Sequence, residues 1–130
     1  MKWKYKIKFT DKSTLKFIEE RIGKSFPNEL KNLIEKANAA TPSANKIDVC
    51  GCERVVGGIL SFNINDESDN VYDAIMVITN PVLIPFAIDP SGNYFCFDSE
   101  KNEVLFWNHE VNQYQELHLT IKEFVDELYE

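Results

Sequence analysis

The stretch LIPFAIDPSGNYFCFDSEKNEVLFW, Leu83–Trp107, decides the fold. It contains three short apolar runs, Leu83–Ile88, Asn93–Asp98 and Glu103–Trp107. Between them stand Asp89-Pro90-Ser91-Gly92 and Ser99-Glu100-Lys101-Asn102, which are turn-forming tetrads. Strand, tight turn, strand, tight turn, strand is an antiparallel meander. Phe95 and Phe97 alternate with Tyr94 and Cys96, so both faces of the middle run are apolar. Such strands belong at the centre of a sheet, covered on both sides. Pro85 lies inside the first run and calls for a bulge there, because proline cannot donate to a ladder.

Working outward toward the C-terminus, Thr120-Ile121-Lys122-Glu123 is a capping box. It launches a helix with Ile121, Phe124, Val125 and Leu128 turned inward. Toward the N-terminus, Val71, Ile75 and Ile78 have helical spacing. Asp69 or Asn70 can cap that segment and Asn80-Pro81 stops it, which favours a helix over a strand for Val71–Thr79. Ile47–Cys52 and Ile59–Ile64 read as strands with a turn near Gly57-Gly58. Two helices precede them. One is capped by Ser13, runs to Ile22 and ends at Gly23; the other starts at Pro27 and carries Leu30, Leu33, Ile34 and Ala37 on one face. Met1–Phe9 alternates strictly, with Trp3, Tyr5, Ile7 and Phe9 opposite Lys2, Lys4, Lys6 and Lys8, as in a lysine-coated edge strand.

These elements fit one α+β domain spanning residues 1–130, with a mostly antiparallel central sheet flanked by helices. The longest apolar runs suit buried strands and fall short of the roughly 20 residues that cross a bilayer. The three cysteines, Cys50, Cys52 and Cys96, are odd in number, which predicts reduced thiols and a cytoplasmic setting.

The net charge of −7 is unevenly placed. Residues 1–36 hold ten Lys/Arg and five Asp/Glu, whereas residues 37–130 hold four and sixteen. An acidic surface of that extent repels nucleic acid and attracts basic protein. Asp66, Glu67, Asp69 and Asp73 cluster around one loop and are the leading candidates for partner contact. Asp48, Glu53, Glu100 and Glu103 are further candidates.

Catalytic and metal signatures are missing. Cys50-Gly51-Cys52 has no second close pair to complete a zinc site. His109-Glu110 has no nucleophile with a local signature beside it, and Asp89 and Asp98 read as turn-initiating carboxylates. Neither Gly57-Gly58 nor Gly92 opens a phosphate-cradling loop. The expectation is a binding protein with no cofactor, no metal and no catalytic residues.

Three segments in succession resemble the SUKH superfamily, which includes fungal SMI/KNR cell-wall assembly regulators and many bacterial toxin-immunity proteins. They are LKFIEERIGKSFPNELKNLIEKAN at Leu15–Asn38, ILSFNI at Ile59–Ile64, and Leu83–His109 followed by LTIKEFVDEL. In place of the family's usual Asn-Gly-Gly after the second helix stands Asn38-Ala39-Ala40. The resemblance implies an antiparallel sheet of about six strands, an ordinary size. It also implies an immunity protein that binds and blocks a cognate, nuclease-type toxin domain. The acidic surface and the short apolar runs argue against nucleic-acid and membrane partners, and both a monomer and a weak dimer stay open. The alternatives are a regulatory scaffold module without a toxin partner and a small-ligand binder using the aromatic meander.

Overall fold

The computed structural model describes residues 1–130. Its centre is a five-stranded antiparallel sheet in the order β5-β6-β7-β8-β9. The strands are β5 (Gly58–Ile59), β6 (Leu83–Ile88), β7 (Tyr94–Asp98), β8 (Glu103–Asn108) and β9 (Gln113–Leu119). The meander is as the sequence requires, with β7 in the middle. Asp89 Oδ1 accepts from the amides of Ser91 and Asn93, and Asp98 Oδ1 from those of Glu100 and Lys101, so both carboxylates fold their turns. The register shifts between Pro85 and Ala87, which is the bulge that Pro85 demands. There Phe86 is wholly buried, and its carbonyl accepts from the Leu60 amide.

The helices are α1 (Ser13–Ile22), α2 (Asn28–Ala37), α3 (Val71–Val77) and α4 (Ile121–Asp126). Asn70 caps α3, its Oδ1 accepting from the Asp73 amide at 3.0 Å. In α4 both halves of the capping box form: the Glu123 amide donates to Thr120 Oγ1 at 3.1 Å and the Thr120 amide to Glu123 Oε1 at 2.9 Å. That reciprocal pair seats Phe124 between Phe86 and Phe95, at centroid distances of 5.4 and 5.2 Å. Ile18, Leu30, Leu33, Ile34, Ile121 and Phe124 then join one face of the sheet in a core of 27 buried residues. Full burial of side chains this large stabilises by roughly 1.5–3 kcal/mol each.

Several local expectations are corrected. Met1–Phe9 is not a strand in the main sheet: only β1 (Trp3–Lys4) pairs, with β2 (Thr41–Pro42), and Tyr5 turns to φ 63° and is 82% exposed. The backbone after it is held instead by two buried asparagines. Asn38 Nδ2 donates to the Ile7 carbonyl at 3.0 Å, and Asn63 Nδ2 donates to the Lys8 carbonyl while its Oδ1 accepts from the Thr10 and Asp11 amides. These bonds pair the Ile7 and Lys8 carbonyls and the Thr10 and Asp11 amides without a neighbouring strand.

Ile47–Cys52 is likewise not one strand. It breaks at Cys50 and Gly51, both at positive φ, into the hairpin β3 (Lys46–Val49) and β4 (Cys52–Val55). Of Ile59–Ile64 only Ile59 is laddered, and Gly58, expected in the turn, lies in the strand with it. Ser13 begins α1 without capping it; its hydroxyl donates back to Asp11. β9 is not expected from the sequence; its pairing with β8 shifts register between Val104, opposite Leu119, and Leu105, opposite Glu116.

Candidate functional site

The four loop carboxylates differ in what they are free to do. Asp66 is half-buried and accepts from the Ser61 hydroxyl and, at 3.1 Å, from Asn63 Nδ2, so it folds the loop onto the asparagine network. Glu67 and Asp69 are exposed. Asp73, in the first turn of α3, is exposed as well, beside its cap Asn70. Acid in that first turn favours the helix through its dipole.

The remaining candidates fall into two other groups. Asp48 and Glu53 are cross-strand partners on the β3–β4 hairpin. Both accept from the Tyr129 hydroxyl, at 2.7 and 3.3 Å. The Asp48 bond, with the nearby charge of both carboxylates, pushes that phenol up to about 12. Glu100 is exposed in the β7–β8 turn. Glu103, at the start of β8, stands opposite Asp98 and lies 3.6 Å from His118 Nδ1. The structure therefore collects the acidic candidates into a loop, a hairpin and a turn.

The sequence reading missed the surface made by the second face of the sheet. Tyr94, Trp107 and Tyr114 are in register across β7, β8 and β9, forming an aromatic row. Tyr94 stacks on Trp107 with centroids 6.0 Å apart, and the Trp107 indole donates to Asn112 Oδ1 at 3.0 Å. Trp107 is nearly covered, Tyr94 half-buried, and Tyr114 42% exposed. The next row, two residues along, is Cys96, Leu105 and Glu116; the row beyond it begins with Asp98 and Glu103. Burial raises the Tyr94 phenol above its ordinary value, and the charges of Asp69 and Asp73 raise it further. The available signal was the apolar second face of the meander, but the third aromatic lies on the unassigned strand.

Cover on this face is thin. Ile78 joins Leu83, Cys96, Leu105 and Trp107 in a separate cluster of five buried residues. Arg21 reaches across to donate to the carbonyls of Ile78 and Asn80, and Lys24 to that of Ser99. Lys101 is paired with Glu116, an exposed bond that raises the lysine and lowers the carboxylate.

His109 is exposed, its Nδ1 2.6 Å from Asn93 Oδ1, while Tyr94 and Asp98 lie at opposite ends of β7. These three residues do not converge. A cleft of about 320 Å³ lies elsewhere, between α2 and α4, where Trp3, Leu33, Ile121 and Val125 are accompanied by Glu29, Lys36, Lys122 and Asp126. No group of three or more His, Cys, Asp or Glu has metal-holding geometry, and no helix is long and apolar enough to cross a membrane.

Four helices and a five-stranded antiparallel sheet, with smaller two-stranded ribbons, define a SUKH-type α+β domain. The chain matches the family model SUKH_6, described as SMI1-KNR4 cell-wall, over residues 12–125, and it belongs to that family. A crystal structure of a protein from Pseudomonas syringae pv. tomato has the same fold at TM-score 0.60 and 13% identity, covering 99% of this chain and 89% of that one. No curated protein sequence matches the chain.

Proposed function

We propose that this protein is a cytoplasmic immunity protein that binds and neutralises a cognate bacterial toxin domain by protein–protein contact, without catalysis. Membership of the SUKH family carries the reading. The charge distribution supports it, because residues 37–130 carry sixteen carboxylates against four Lys/Arg, an excess that complements a basic surface such as the substrate groove of a nuclease. Glu67, Asp69 and Asp73 are free to meet the toxin, and Asp66 shapes the loop that presents them. Asp48, Glu53, Glu100 and Glu103 extend the acidic surface.

The test is protection of growth. A toxin domain encoded beside this chain, expressed in cells with and without it, should kill only in its absence. A pull-down with tagged protein should recover that domain in stoichiometric amount. Charge reversal at Glu67, Asp69 and Asp73 should weaken capture. Killing that proceeds unchanged in the presence of well-expressed protein would sink the immunity role.

A further inference from the structure

We propose that Cys50 and Cys52 form a thiol–disulfide exchange site, which a low-molecular-weight disulfide converts into an intrachain Cys50–Cys52 disulfide. The inference stands apart from the partner-binding reading above and goes beyond it.

Sequence spacing sets the reach. One residue separates the two cysteines, and it is Gly51. Alpha carbons two residues apart on a bent chain lie about 5–7 Å from each other, close to the range of about 4.4–6.8 Å that a disulfide spans. The bend is present: Val49 pairs with Cys52 across the β3–β4 hairpin, and Cys50 and Gly51 fill the turn at φ 50° and 85°. Below the turn the hairpin is fixed. Ile47 and Val49 are buried in the main core, and the Tyr129 hydroxyl reaches both Asp48 and Glu53 across the two strands. The two thiols are therefore carried close together on an anchored support.

Access and competition favour the same pairing. Cys50, Gly51 and Cys52 are all exposed, and a Cβ at Gly51 would meet no atom within 4 Å, so a reagent approaches the tip from open solvent. The third thiol is inaccessible, because Cys96 is fully buried in the sheet. Cys52 is thus the one intrachain partner for Cys50.

The chemistry runs in two exchanges. The thiolate of one cysteine attacks the reagent RSSR, forms a mixed disulfide and expels a thiolate, which takes up the proton that the cysteine gave. The thiolate of the other cysteine then attacks the protein sulfur of that mixed disulfide. This closes the Cys50–Cys52 bond and expels the second reagent thiolate, again protonated to RSH. Two cysteine thiols and one RSSR become one protein disulfide and two RSH; the protein loses the two electrons that the reagent gains. The second exchange is intramolecular, so proximity and not reagent concentration sets its rate. A disulfide closing so short a loop in open solvent belongs to the readily reduced class, which makes the modification reversible by thiols.

The full-length reduced protein should be treated at mildly alkaline pH with hydroxyethyl disulfide, quenched with acid, and read by intact mass and peptide mapping. The expected product has lost two hydrogens, carries no adduct and holds Cys50 and Cys52 blocked in one peptide, with Cys96 alkylated only after denaturation. Dithiothreitol should restore the starting mass. Cys50→Ser and Cys52→Ser should each stop at a mixed disulfide bearing one reagent half. Both positions are exposed, so the variants keep the fold, and continued protection of Cys96 checks that they do. A parent product that retains reagent halves on both cysteines, or one that couples two chains, would overturn the proposal. So would loss of two hydrogens in either single-serine variant.

Discussion

The two faces of the β6–β9 sheet are made from the same strands and differ in almost everything else. Toward α2 and α4, Phe86, Phe95, Phe106 and Phe124 are wholly buried and interlocked at centroid distances of 5.0–5.4 Å. On the other side the aromatics are Tyr94, Trp107 and Tyr114, whose polar atoms suit a boundary with water. Phenylalanine fills the side that the helices seal; on the other side Trp107 is nearly covered, Tyr94 is half-buried and Tyr114 alone of the three is open to water. A residue's face, read two at a time along each strand, therefore separates the interlocked phenylalanine core from a smaller cluster with a partly open edge.

The sharpest way to break that contrast is to truncate one aromatic from each side. Phe95→Ala removes a ring packed against both Phe106 and Phe124 and should cost about 3–5 kcal/mol in chemical denaturation. Tyr114→Ala, on the open edge, should stay within about 0.5 kcal/mol of the parent. Equal costs would mean that the second face is as structural as the first.

A smaller effect is expected where polar groups hold the chain. Asn38 is fully buried, accepts from the Phe62 amide at 2.7 Å and donates to the Ile7 carbonyl at 3.0 Å. Asn38→Ala strands that buried amide and should cost about 2–3 kcal/mol. Hydrogen exchange at Ile7, whose amide donates to the Asn38 carbonyl, should accelerate more than that at Phe95. Uniform acceleration would show that the N-terminal segment unfolds only with the whole domain.

Cys96 tests how completely the thinner face is sealed. It is fully buried, and desolvation drives its thiol far above the ordinary 9.0, so the folded chain holds the proton more tightly than the unfolded one. Its contribution is thus intact below pH 9 and declines as pH rises past the unfolded value; one unit above, the loss is about 1.4 kcal/mol. In the native protein at pH 8, a thiol reagent should modify the exposed Cys50 and Cys52 and spare Cys96 until denaturant is added. Rapid labelling of all three thiols would show the second face open to solvent.

The meander, the bulge at Pro85 and the helices Val71–Val77 and Ile121–Asp126 were legible because each has a local cause: turn carboxylates, a missing amide, or a capping side chain. Met1–Phe9 misled because alternation states which side chains share a face, not whether a neighbouring strand exists. Its backbone partners, Asn38 and Asn63, lie 31 and 55 residues away from the carbonyls they bind. The break at Cys50-Gly51 required a positive φ at a cysteine, which residue preference disfavours. The acidic loop was legible as composition, but the internal role of Asp66 depends on Ser61 and Asn63 coming close in space. The aromatic row needed the register of β9, whose polar residues Gln113, Gln115, Glu116 and His118 hide its strand character.

The smallest effect concerns the loop where alanines replace the glycines usual in the family. Ala39 takes φ 61°, the left-handed region in which a Cβ is strained, and Ala40 behind it is wholly buried. The chain tolerates this because Asn38 fixes the turn from one side and Ala40 from the other, its carbonyl accepting from the Ile59 amide at 2.8 Å. Ala39→Gly relieves a strain of about 1–2 kcal/mol and adds back about 0.5–1 kcal/mol of unfolded-state entropy. The net gain should be about 0.5–1 kcal/mol, visible as a later denaturation midpoint at unchanged slope. Because this loop joins α2 to the core and not to the aromatic row, the variant should leave the protection of Cys96 from a thiol reagent untouched. A stability gain accompanied by altered labelling of Cys96 would show that the two faces are energetically coupled, and the separation between them would fail there.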